Sequence, residues 1–218
     1  MFYADDTAVS AVTYNTAVGA YALEGSTTPA NNTGTGNTAL GHSALTDNTS
    51  GGGNTALGTS ALSSNTSGNN NVAIGYESLL ANGIGSWNIG IGGSALANND
   101  NGTTNIGIGV NSGLFIESGT ENVAIGTEAM RGVTGARLST GGNTAIGHQA
   151  GYAVQGTAAN NTFLGHSAGS TTTTGSSNIV IGAGATAPAT TTSNHLNIGG
   201  TIFGDLSTDN VRVGGSGL

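Results

Sequence analysis

The 218-residue chain contains no cysteine and no lysine, two prolines, three arginines and only 5% aromatic residues. Without cysteine, no disulfide can hold the fold together. Three cations against eleven acids leave a formal charge of −8, the wrong sign for gripping a phosphate backbone or for docking on an anionic membrane surface. No apolar stretch approaches the ~20 residues that a membrane-crossing helix needs, so neither nucleic acid binding nor membrane insertion is expected. Met1-Phe2-Tyr3-Ala4-Asp5-Asp6 has neither the basic start nor the apolar run of a signal peptide. The few carboxylates occupy no common repeat position, which argues against calcium binding and against the paired carboxylates of sugar cleavage. Asp47, Glu77, Asp100 and Glu117 read as solubility charges. No cofactor and no enzymatic activity are expected.

Glycine is the opposite case, with 40 residues, too many for a helical fold. Much of it belongs to a motif of asparagine, three residues and glycine, whose copies begin at Asn15, Asn37, Asn54, Asn71, Asn88, Asn105, Asn122, Asn143, Asn161 and Asn178. The six starts from Asn37 to Asn122 are 17 residues apart, and a degenerate copy is read at Asn197. A fixed period of this kind signals an array in which each repeat is one unit stacked on the next.

Within the motif, the second and fourth positions are β-branched or branched aliphatic, and in the copies from Asn15 to Asn143 the third is small, as in Thr38-Ala39-Leu40, Val72-Ala73-Ile74 and Ile106-Gly107-Ile108. A period of two is that of a β-strand, and β-branched residues favour one. The aliphatic columns are expected to point inward, leaving the alanine and glycine column to face a neighbour. A second apolar pair in each repeat, such as Ala44-Leu45, Ala61-Leu62 and Ala95-Leu96, predicts a second short strand per coil. The intervening Gly, Asn, Ser and Thr residues suit corners with positive φ. Coils stacked at roughly 4.8 Å give about eleven coils and a rod on the order of 50 Å. Asn37, Asn54, Asn71, Asn88, Asn105 and Asn122 then form an amide ladder along the rod. Gly41, Gly58, Gly75, Gly92, Gly109 and Gly126 end the strands, in a conformation closed to other residues or where another backbone comes close. Both sets are scaffold rather than chemistry. A few inward aliphatic side chains per coil bury too little surface to offset an ordering cost of about 1 to 2 kcal/mol per residue, so self-association is expected.

Asn71-Val72-Ala73-Ile74-Gly75 and Asn122-Val123-Ala124-Ile125-Gly126 resemble the strand motif of trimeric autotransporter adhesin heads. The Asn-Thr-Ala-Leu/Ile-Gly copies are similar to repeat arrays in tail fibres of bacteriophages and prophage-like elements, and the segment from Leu196 to Thr208 looks like the one that links such arrays to a self-cleaving chaperone. The chain has no lysine for that chaperone's Ser-Lys dyad. The resemblance implies an all-β, homotrimeric parallel β-solenoid, a left-handed β-roll, with a lead-in over 1–14, the array over 15–186 and a linker over 187–218. It further implies a structural and receptor-binding fibre segment, placed in a virion tail fibre or at a cell surface, whose partners are its own copies and a cell-surface glycan or outer-membrane receptor. A bacterial adhesin head is the alternative. Ice binding, suggested by the threonines of the second motif position, is disfavoured because Val72, Ile89 and Ile106 share that column and suit a buried stack.

Recognition is expected where the array departs from regularity. Two insertions qualify, Glu24 to Ala30 and Arg131 to Thr140, the latter containing Arg131 and Arg137. Trp87 and Phe115 are corner aromatics suited to stacking on a sugar or to packing between chains. His42, His148 and His166 all follow the motif glycine, and His148 and His166 on neighbouring coils are the metal candidates. The same column also accepts Ala20, Thr59 and Tyr76, which favours a solvated or packed histidine. The Gly-x-Gly runs at Gly90 and Gly107 belong to the repeat and are not dinucleotide loops.

Overall fold

The structure is a computed structural model that describes residues 14–25 and 31–214. Most of the 1–14 lead-in, most of the first insertion and the final Gly215 to Leu218 lie outside the described residues. The fold is an all-β parallel solenoid of about nine turns, with no α-helix among the described residues. Each motif supplies one three-residue strand: β1 Thr16–Val18, β2 Thr38–Leu40, β3 Thr55–Leu57, β4 Val72–Ile74, β5 Ile89–Ile91, β6 Ile106–Ile108, β7 Val123–Ile125, β8 Thr144–Ile146, β9 Thr162–Leu164 and β10 Ile179–Ile181. β11 His195–Ile198 continues the stack, and β12 Ile202–Asp205 and β13 Asn210–Val213 close it as an antiparallel meander. Strand order follows the chain, and β1 to β11 pair in parallel with equivalent motif positions in register, as in Thr55↔Val72 and Leu57↔Ile74.

The expected facing of the strands is reversed. The small third position is inside, with Ala39, Ala56, Ala73, Ala124 and Ala145 each fully buried, while Leu40, Leu57 and Leu164 are 46%, 41% and 44% exposed. The period of two is as read, but the coil is too narrow for two opposed rows of large side chains. Its interior pairs the small strand column with a large one, Leu45, Leu62, Leu79, Leu96 and Met130, all buried. Where the small column is enlarged to Phe163, the facing positions shrink to Gly151 and Gly169. A Cβ on Gly151 would lie 2.7 Å from the Phe163 ring, and one on Gly169 would collide with it.

The second strand per coil is also absent. Ala44 and Leu45 are consecutive and both buried, which an extended strand forbids because neighbours point to opposite faces. The leucine is instead left-handed, with φ of 53° at Leu45, 52° at Leu62 and 51° at Leu79, and this turn rotates its side chain back into the core. The small residue before it, alanine or, at Leu79, Ser78, and the buried contacts around it hold a conformation that leucine rarely adopts.

Both roles expected of the motif glycine hold together. Gly75 has φ +127°, and a Cβ on it would sit 2.7 Å from the Gly92 carbonyl oxygen of the next coil. The asparagine ladder is present but is chiefly amide to backbone. Asn37 Oδ1 accepts the Asn54 N–H, Asn54 Oδ1 the Asn71 N–H and Asn71 Oδ1 the Asn88 N–H, each at 2.9 Å. Each Nδ2 donates across the coil, Asn71 to Gly85 O at 2.8 Å and Asn105 to Gly119 O at 2.7 Å. A second ladder was not foreseen: Asn65, Asn82 and Asn99 donate Nδ2 to the Oδ1 of Asn48, Asn65 and Asn82 at 2.7, 2.8 and 2.8 Å. All of these amides are buried and satisfied, which turns polar side chains into a core.

The last rung corrects the register read at Asn197. Ile179 pairs with Leu196 and Val180 with Asn197, so Asn197 occupies the inward column. His195 stands in the asparagine column, its N–H donating to Asn178 Oδ1 at 2.9 Å.

Candidate functional site

Three surfaces carry side chains that the scaffold does not consume. The first is the outer face of the parallel sheet. The second and fourth motif positions form two continuous rows there, from Thr16 and Val18 to Leu196 and Ile198. Over eleven rungs at roughly 4.8 Å this strip is ~50 Å long and one short strand wide. Val18, Ile108 and Ile146 are 39%, 36% and 38% exposed, and Tyr76 and Val110 extend the apolar surface past the motif glycine. These residues form a continuous, partly exposed apolar row along the sheet. The threonines of this face, such as Thr16 and Thr38, are exposed rather than stacked inside.

The second surface surrounds the insertion at 131–140. A tight turn bridges Val133 to Ala136, and Leu138 then re-enters the stack in parallel bridges to Ile116 and Gly156. Ile116 and Leu138 are buried. Arg131 lies between two rings, its guanidinium carbon 5.7 Å from the Phe115 centroid and 5.6 Å from that of Tyr152, and Nη1 donates to the Tyr152 hydroxyl at 3.0 Å. Glu128 Oε1 stands 3.7 Å from its Nε. Arg137 Nη1 meets Glu117 Oε1 at 2.6 Å in a half-exposed pair. The fold thus brings Arg131 to Phe115, Tyr152 and Glu128 and separately pairs Arg137 with Glu117, partnerships that had no sequence signal beyond coil spacing. Both arginines are balanced by glutamates, so the insertion offers no surplus positive charge to an anion. Cation–π contact across three coils gives Arg131 and Phe115 a knitting role in this chain.

Trp87 is not part of that cluster. It immediately precedes the motif asparagine Asn88, is 63% exposed and has φ 62°. Other coils place Gly53, Asn70 and Gly142 at this left-handed position. Ile84, on the same corner, is 59% exposed.

The third surface is the histidine column. His148 and His166 stack with centroids 4.9 Å apart and planes at 17°, both exposed. His42 is occupied differently, with Nδ1 3.1 Å from Ser43 Oγ and an edge contact to the Tyr21 ring at 5.6 Å. Buried His195, which has no counterpart in this column, leaves Nε2 without a hydrogen-bond partner. Burial lowers its pKa from the ordinary 6.5, and the charge of Asp205 opposes the shift.

No helix of the described residues is long and apolar enough to cross a membrane. Comparison with family models, curated proteins and solved structures finds no match.

Proposed function

We propose that the chain is a fibre segment: a left-handed β-roll of about eleven coils, three copies of which pack their outer sheet faces around a common axis. The rod spaces or presents a recognition element of a phage tail fibre or related injection apparatus and mediates attachment to a bacterial surface. The observation that carries this reading is the unbroken aliphatic row at the fourth motif position, which in a lone chain leaves Leu40, Leu57 and Leu164 in water. It replaces the expected contact through alanine and glycine, since those columns are already filled by the chain's own core. Stacking leucine and isoleucine rows against a second copy adds roughly 25 cal/mol for each Å² removed from water, repeated on every rung. The head of a bacterial trimeric adhesin is the second reading; it shares the same rod and differs in the apparatus that carries it. Ice binding gains from the exposed threonines but loses from the central run of Val72, Ile89, Ile106 and Val123 that interrupts them; measurable thermal hysteresis would revive it.

Sedimentation velocity with light scattering at micromolar concentration tests the assembly. The expected mass is three times 21.0 kDa, about 63 kDa. Ile91→Asp with Ile108→Asp, on adjacent rungs of the outer face, is expected to prevent assembly. A folded wild-type monomer overturns the trimer. Binding of the labelled trimer to a panel of bacterial cells tests attachment separately, and no binding to any strain removes that half of the proposal.

A further inference from the structure

We propose that His148 and His166 form a two-imidazole surface site for a borderline divalent transition ion, with copper(II) preferred over nickel(II) and zinc(II). The parallel stack dictates the geometry: equivalent side chains on successive rungs lie about 4.8 Å apart, and the two rings stand 4.9 Å apart and nearly parallel. Their backbones are pinned, because the His148 and His166 carbonyls accept the Ser167 and Gly184 N–H groups at 2.8 Å. The rings themselves make no hydrogen bond to the described residues, and each neutral imidazole keeps a lone-pair nitrogen for a ligand. Two metal–nitrogen bonds of about 2.0–2.1 Å span at most ~4.2 Å. Each lone pair lies in the plane of its ring, so both exposed side chains turn out of the stack about χ1 and χ2 to bring their nitrogens onto one ion.

His42 lacks this arrangement. Its neighbours in the column are Ala20 and Thr59, and its Nδ1 faces Ser43 Oγ. The described residues contain no cluster of three or more His, Cys, Asp or Glu side chains, so the ion keeps water in its remaining positions and exchanges freely, unlike a closed structural site. Imidazole ligation selects among first-row ions in the order that places copper(II) highest. A net charge of −8 favours cation approach. The bound ion clips together the coils that begin at Asn143 and Asn161, the first two after the 131–140 insertion, and this requires one chain only.

Isothermal titration of the untagged chain with copper(II) chloride, and separately zinc(II) chloride, in a non-coordinating buffer at pH 7.5 tests the site. One copper per chain is expected, bound more tightly than zinc. His148→Gln and His166→Gln are each expected to weaken binding at least tenfold, and His42→Gln to leave it unchanged. These side chains are exposed, and circular dichroism checks that each variant keeps the fold. Absence of copper uptake overturns the proposal, as does affinity that survives either substitution or falls equally in His42→Gln.

Discussion

Asn88 shows what a single amide does in this rod. Its Oδ1 accepts the Asn105 N–H at 2.9 Å, and its Nδ2 donates to Gly102 O at 2.8 Å. Gly102 O retains a second donor in Asn99 Nδ2 at 3.1 Å, whereas the Asn105 N–H depends on Asn88 in this geometry. Asn88→Ala therefore orphans one buried donor, at a cost of about 1–3 kcal/mol, and the Asn105 amide is expected to lose hydrogen-exchange protection before amides several coils away. Trp87 runs the other way. Its left-handed φ costs an aromatic residue on the order of 1–2 kcal/mol that glycine avoids, and Gly53 and Gly142 already serve at that position. Trp87→Gly is expected to raise the melting temperature while weakening attachment to cells if the indole is a recognition group. A less stable trimer with unchanged attachment would show that Trp87 packs between chains.

At the scale of the strand and turn, much was legible and one inference inverted. The 17-residue period, the strand at each motif and the glycine that ends it are all set by local spacing and backbone conformation, which a sequence displays. Which face is inside depends on how wide the coil is, and that follows from the facing turn, where Leu45 and its equivalents adopt a conformation that leucine seldom takes. The adjacent pair Ala44-Leu45 held the clue, since two consecutive buried residues do not fit a strand. The candidate site was legible as a list of irregular residues but not as contacts. Arg131, Phe115 and Tyr152 belong to three coils and meet only because the stack superposes them.

His195 supplies the prediction at this scale. In the folded chain burial favours its neutral form, so its pKa lies below the ordinary 6.5 despite Asp205 across the β11–β12 pair. A lowered histidine pKa means that the unfolded state binds more protons between the two values. The stability is then full above about pH 6.5 and is lost as the pH falls toward the folded value. Asp205, lowered chiefly by its hydrogen bonds from Ser207, loses its own contribution at still lower pH. Hydrogen exchange in β11 and β12 is expected to accelerate as the pH drops from 7 to 5, after correction for the intrinsic rate. His195→Asn, which restores the ladder residue of every other rung, should flatten that dependence.

For the whole molecule, a stack whose units touch only their neighbours should tolerate removal of one unit, provided that the new neighbours fit. Excision of residues 88–104 joins Trp87 to Asn105 and brings together coils whose interiors match. Gly90 now lies under Ser78 and Leu79, where a Cβ would be 2.6 Å from Ser78 Oγ and 3.1 Å from Leu79 Cγ; Gly107 takes that place. Leu79 in turn replaces Leu96 beside Gly113, where a Cβ would meet Leu96 Cδ2 at 2.7 Å. Asn71 Oδ1 accepts the Asn105 N–H, and the outer rows run from Val72 and Ile74 to Ile106 and Ile108 without a break. Excision of 161–177 also removes 17 residues and one coil interface, but it takes away fully buried Phe163 and leaves Gly151 facing the smaller Val180. The resulting void costs on the order of 2 kcal/mol beyond the first deletion. Both proteins are expected to assemble as rods shortened by ~4.8 Å in small-angle scattering, with the 161–177 deletion melting at the lower temperature. Equal melting temperatures would mean that the pairing of large with small residues across the coil is not what holds the core.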